Sequence, residues 1–246
     1  MYVSPISNNK YNYSFQANRR IINNESGKLL YRTTTYFFRH DIDWRRLSKV
    51  LFYKYKDISK VNVFCHACSN GMEPYSFVIQ MLEQNTKDAR KFFPVIAKDL
   101  DAKNIEMAQK GFLNIDESDF YEIKCHTRGY CTPYFDLMKS QDGNYFMTLK
   151  PKKYLNEKVH FEQGDILEDI DKMPKSNTIL FCRNFWPYLD IKKQELLAQK
   201  LGNHFDSSSL VIIGDFDEKY FTDHILRQHG FYELAAIPRV YCKKNS

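Results

Sequence analysis

The sequence predicts an α/β protein: a doubly wound, largely parallel sheet with helices on both faces and a small β-hairpin insertion. Three observations predict it. From residue 61 onward, short β-rich runs alternate with longer stretches of helical period. The central runs are almost continuously apolar, as strands buried on both faces must be. The chain has 246 residues at 43% hydrophobic content, enough to bury one substantial core.

Taken in order, residues 1–60 start polar and turn helical. DWRRLSKVLFYKYK is an amphipathic helix, so this part is expected to form a short cap against the sheet. VNVFC (61–65) puts Val61, Val63 and Cys65 on one face of a strand. Pro74 suits the first turn of the following helix, where Tyr75, Val78, Met81 and Leu82 recur at helical spacing. FFPVIA (92–97), TILFC (178–182) and SLVIIG (209–214) read as the buried strands. A helix over 102–110 stops at Gly111. Leu189, Leu196, Leu197, Leu201 and Phe205 mark another, and a last one covers 219–229. Residues 112–158 are too long for a simple connection and carry Asp142-Gly143 ahead of an alternating run, a hairpin signal. The expected organisation is a cap over 1–60 and a main domain over 61–246 with a β-rich insertion at about 112–158.

Composition narrows the function. No apolar run approaches the roughly 20 residues that cross a bilayer, and the first residues lack the pattern of a secretory signal, so a cytoplasmic protein is expected. The six cysteines are scattered and mostly sit in apolar segments, which reads as free buried thiols. CHAC (65–68), with a second pair at Cys125 and Cys131 near His126, resembles half a zinc site. The 57 residues between Cys68 and Cys125 exceed ordinary ribbon spacing, so no metal is expected. A formal charge of +6 is spread in pairs such as RR and KK, without a cationic block, which argues against a nucleic-acid partner.

Ligands of an open α/β sheet bind beyond the carboxyl ends of its strands. There the chain delivers HACSNGMEP, KDLD, the GDIL of HFEQGDIL, and RNFWPY: two acids and a carboxamide around a small-residue turn. Glu73 stands at a helix start, where it could simply complement the dipole. Asp99 and Asp101 compete for the N-cap of the next helix, and an acid at a strand end commonly accepts from vicinal ribose hydroxyls, so Asp99 is favoured for that role. With one glycine and a carboxylate at the helix start, the turn suits a phosphate poorly. A ligand with a ribose, an adenine and an amino group suits it better, which describes S-adenosylmethionine.

CSNGMEPYSFVI resembles the first motif, CS-x-G-x-EPYS, of the CheR-type chemotaxis receptor methyltransferases. TTYFFR (34–39) resembles their Thr-x-Phe-Phe-Arg segment, AKDLD their ATDID, VHFEQGDIL their V-x-F-x3-NLL, and FCRNFWPYLD their FCRN-x3-YF, all in the family's order. The resemblance implies a Rossmann-like methyltransferase that uses S-adenosylmethionine to esterify glutamate side chains of a protein, with a chemoreceptor cytoplasmic domain as candidate acceptor, acting as a monomer. It implies that Thr35, Arg39, Cys68, Gly71, Glu73, Asp99, Asp165, Ile166, Asn184 and Phe185 hold the cofactor, and that Arg39 and Tyr188 flank the reacting centre. Thr35 and Arg39 fall at the methionine end, Glu73 near the amino group, Asp99 on the ribose, Asp165 near the adenine and Asn184 beside the methionine moiety. The insertion matches the family's β-subdomain.

A glutamate carboxylate, with pKa about 4.3, is already ionised at neutral pH and needs no general base. Alignment is the main demand, and Arg39 suits a two-point clamp on a carboxylate, or else an ion pair holding the cap. The chain departs from the family pattern at several points: Met72 replaces a Glu, Lys98 a small residue and Asp165 an Asn, GDFD (214–217) stands for G-x-SE, and only some 30 residues precede TTYFFR. These departures allow one rival, a cofactor-binding or partner-binding module without turnover, and the mild positive charge allows another, a methyltransferase acting on a small carboxylic acid or RNA.

Overall fold

The computed structural model describes Ile21–Asn23 (β1), Leu29–Tyr31 (β2), residues 35–141 and residues 143–244. β1 and β2 pair antiparallel within a first unit, Met1–Thr34; the second unit is Thr35–Ser246. Thr34 of TTYFFR and Asp142 of the hairpin signal lie outside the described residues.

In the second unit, Trp44–Lys54 (α1) starts where Asp43 caps it by accepting from the Arg46 N–H at 2.9 Å. Then follow Asn62–His66 (β3), Met72–Gln84 (α2), Val95–Asp99 (β4) and Ala102–Lys110 (α3). The β-rich insertion comprises Leu113–Ile115 (β5), Glu117–His126 (α4), Phe135–Met138 (β6), Met147–Pro151 (β7) and Lys153–Asn156 (α5). Val159–Gln163 (β8), Ile166–Asp169 (α6), Thr178–Phe181 (β9), Ile191–His204 (α7) and Leu210–Ile212 (β10) return the chain to the main sheet. Asp215–Glu218 (α8), Thr222–Gln228 (α9), Phe231–Glu233 (β11) and Val240–Lys243 (β12) complete it.

The main sheet runs β11-β12-β10-β9-β3-β4-β8; the five strands from β10 to β8 are parallel, and β12 and β11 are antiparallel additions at one edge. β5, β7 and β6 form a separate antiparallel sheet in the insertion. Strand order reverses between β3 and β9, which opens a crevice at their carboxyl ends. Alternation along β9 sends Ile179 and Phe181 into one apolar cluster with Trp44, Leu47, Leu51 and the buried face of α2. Leu180 and Cys182 point the other way, into a cluster with Leu197, Leu201 and Leu226.

Three expected elements differ. FFPVIA is not a strand throughout: Asp88–Phe92 is a 3-10 turn and β4 begins only at Val95, after the proline that cannot donate to the ladder. The helix expected over 219–229 starts only at Thr222 (α9); α8 has already ended at Glu218, and Phe221, whose φ of 64° is left-handed, stands between them. Leu196 is 42% exposed, because the buried stripe of α7 passes through Gln194, Leu197, Ala198 and Leu201 instead.

Candidate active site

Between β3 and α2, residues 67–71 turn sharply: Ala67, Ser69 and Gly71 have φ of 58°, 51° and 98°. Alternating left-handed residues are costly outside glycine and persist only where their surroundings fix them. Here the Cys68 N–H donates to the Lys98 carbonyl at 3.0 Å, and the Gly71 N–H to the Cys68 carbonyl at 3.0 Å. Gly71 is obligatory, since a Cβ would also lie 2.7 Å from the Phe161 ring.

Asp99 ends β4 and is buried. Its Oδ2 accepts from the Ser69 N–H at 2.8 Å, and its Oδ1 from the Asp101 N–H at 2.9 Å and Asn104 Nδ2 at 3.2 Å. Burial raises its carboxyl above the ordinary value against the pull of those donors. Asp101 caps α3, accepting from the Lys103 N–H at 2.9 Å. At the end of β8, Asp165 caps α6 through the Leu167 N–H at 3.0 Å, and Ile166 is buried behind it.

Glu73 lies in the first turn of α2, where Cys65 Sγ donates to its Oε1 at 3.3 Å and Arg183 Nη1 to its Oε2. Arg183, two residues past the end of β9, has a fully buried side chain; its other Nη donates to Asp41, and its guanidinium carbon sits 5.2 Å from the Trp44 ring centroid. Asp41 also accepts from Asn184 Nδ2 at 3.1 Å and the Asp215 N–H at 3.2 Å, while its backbone carbonyl accepts from Arg239 at 2.5 Å. Burial pushes the Asp41 carboxyl up, but Arg183, Asn184, Arg39 and the Asp215 N–H together hold it below its ordinary value.

Asn184 has a left-handed φ of 60°, fixed by Asp217, which accepts the N–H groups of Asn184, Trp186 and Gly214. A Cβ on Gly214 would overlap the Asn184 amide. With Nδ2 committed to Asp41, Asn184 Oδ1 is buried without a partner among the described residues, as is Asn70 Oδ1 in the turn. Buried acceptors are normally satisfied, so these two fit a ligand that brings donors.

Cys68, Gly71 and Glu73 therefore follow β3, Asp99 ends β4, Asp165 and Ile166 follow β8, and Asn184 follows β9, whereas Thr35 and Arg39 come from the segment before α1. Both are half-buried, with the Arg39 guanidinium 5.5 Å from the Tyr36 ring centroid. Phe185 and Tyr188 follow β9, and Tyr188 packs on Phe216 at 5.9 Å between centroids. Sequence reasoning passed over Asp41, Arg183 and Asp217. Arg183 carried a signal, a charged residue at the end of an otherwise apolar strand. Among the described residues no group of three or more His, Cys, Asp or Glu could hold a metal, and His126 instead stacks on Phe38 at 4.0 Å and contacts Gln80.

The model of the CheR methyltransferase, SAM binding domain, matches residues 33–228. The chain belongs to this family. CheR relatives include a chemotaxis protein methyltransferase of Borreliella burgdorferi, 24% identical over 73% of this chain and 62% of its own length. Chemotaxis protein methyltransferase 2 of Vibrio cholerae is 25% identical over 73% of this chain and 60% of its own. The chain thus spans about 60% of the length of these curated relatives. A TehB-like SAM-dependent methyltransferase of Corynebacterium glutamicum overlaps 82% of this chain and 94% of its own at TM-score 0.39 and 11% identity, too distant to bear on the site. S-adenosylmethionine is accordingly the cofactor of this CheR domain. The buried acceptors and the carboxylates of Asp99 and Glu73 fit its ammonium and hydroxyl donors.

Proposed function

We propose that this chain is an S-adenosylmethionine-dependent methyltransferase that forms methyl esters on glutamate side chains of a protein, with a chemoreceptor cytoplasmic domain as the acceptor class, working as a cytoplasmic monomer. The observation that carries the reading is the pair Glu73, in the first turn of α2 just after the strained turn at 67–71, and Asp99, at the end of β4 and bonded to that turn through the Ser69 N–H, within a family that binds this cofactor. In this reading Asp99 holds the ribose hydroxyls, Glu73 and Asn184 the methionine end, and Asp165 and Ile166 the adenine. Cys68, Gly71, Thr35 and Phe185 line the path between. Arg39 receives the acceptor carboxylate in a two-point contact, and Tyr188 lines the acceptor side.

When bound, the cofactor would supply an electrophilic methyl to an acceptor carboxylate oxygen, with its sulfur as the leaving group. No proton moves, so the chain's part is to align the acceptor and exclude water, an effect worth several powers of ten in rate. Two measurements test the reading. Calorimetric titration with S-adenosylhomocysteine should give one site. Incubation with labelled cofactor and purified receptor cytoplasmic domains should give alkali-labile methanol. Binding without methanol from any protein would identify a cofactor-binding module instead.

A further inference from the structure

We propose that Asp41 is a specificity-determining residue: it offsets the buried charge of Arg183, so that Glu73 keeps a net negative charge toward the site and favours the net-cationic methyl donor over its product, a zwitterion of net charge zero. The inference rests on the cofactor reading above and goes beyond it in assigning a role to Asp41.

Arg183 is one guanidinium between two carboxylates. Its Nη1 serves Glu73, its Nη2 serves Asp41, and its side chain has no exposure. With Glu73 alone the pair would be neutral; with Asp41 the three groups carry one formal negative charge. Asp41 is the better buried carboxylate, at 4% side-chain exposure against 16% for Glu73, so the surplus faces outward through Glu73. The neighbouring ions are matched elsewhere. Arg239 pairs with Glu218 at 2.9 Å and Lys219 with Asp215 at 3.3 Å, while Asp217 is surrounded by backbone N–H groups. Arg39 attracts Asp41 from a half-buried position before α1. S-adenosylmethionine carries an ammonium, a sulfonium and a carboxylate, net +1, and its product has lost the sulfonium charge. A buried surplus charge acts on that difference far more strongly than an exposed one could.

The test compares the affinities of both ligands in wild type, Asp41→Asn and Asp41→Glu by calorimetry. Asp41→Asn should weaken S-adenosylmethionine about tenfold more than S-adenosylhomocysteine. Asp41→Glu keeps the charge and should keep the wild-type ratio even if both affinities fall. An unchanged ratio in Asp41→Asn, or an equal shift in Asp41→Glu, overturns the proposal. Glu73→Gln removes the same unit of charge from the other end of the bridge; it should shift the ratio likewise if the Asn variant does not fold, and an unchanged ratio there also overturns it. Wild type binding neither ligand would refute the cofactor reading itself and this inference with it, whereas wild type binding both with an insensitive ratio refutes only the inference.

Discussion

Asp99 and Asp101 are two positions apart and end up in different environments. Asp101 caps a helix from the surface side, whereas Asp99 ties the Ser69 turn to β4 from a buried position. Asp99→Ala should abolish S-adenosylhomocysteine binding, while Asp101→Ala should leave most of it and lower stability by about 1 kcal/mol, the usual worth of a cap. Equal loss of binding in calorimetry would remove Asp99 from the ribose. Gly71→Ala should destabilise the domain and abolish binding, since it needs both a left-handed backbone and room against Phe161; a normal melting temperature would contradict this. At this scale Glu73, Asp99 and Asn184 were legible because a motif or a strand end marks each. Asp41 was not, since its partner Arg183 is 142 positions away and nothing in local pattern joins them.

Among the elements, the segment preceding α1 is pinned by two helices. The Phe37 N–H donates to Asp119 of α4 at 2.8 Å, and the Phe38 N–H to Ser76 of α2 at 2.9 Å. Burial pushes Asp119 up to about 7 from its ordinary 3.8. A carboxyl raised in the folded state binds its proton more tightly there, so its contribution to stability is complete below pH 3.8 and is lost as pH rises to about 7. Urea unfolding should therefore show a wild-type stability that falls across this window relative to Asp119→Asn, which keeps an acceptor for Phe37 but does not titrate. A pH-independent difference would show that Asp119 is ionised throughout. The central strands β3, β9 and β10, with α2 and α3, were legible from period and turn residues, whereas the antiparallel edge strands β11 and β12 were not. The break between α8 and α9 was not, because Phe221 adopts a left-handed conformation without any glycine or asparagine to signal it.

For the molecule as a whole, the sheet separates two apolar clusters that share its strands, residue by alternate residue. Leu51 belongs to one and Leu201 to the other, and both are fully buried. Leu51→Ala and Leu201→Ala should each lower stability by about 2–5 kcal/mol within one cooperative transition, because neither face persists without the strands that line both. Two separated transitions in calorimetric melting would mean the faces unfold independently. This doubly covered sheet was the most legible feature of all, since strands buried on both sides admit few sequences that are not continuously apolar.

The bond from Arg239 to the carbonyl of Asp41 joins positions 198 residues apart. A ribosome adding about 5–20 residues per second needs roughly 10 to 40 s to span that interval. Through that time Asp41 has emerged but the backbone clamp on it has not been synthesised. The nascent chain can assemble its early helices and strands in that interval, and the backbone of Asp41 gains this tether only once Arg239 has emerged.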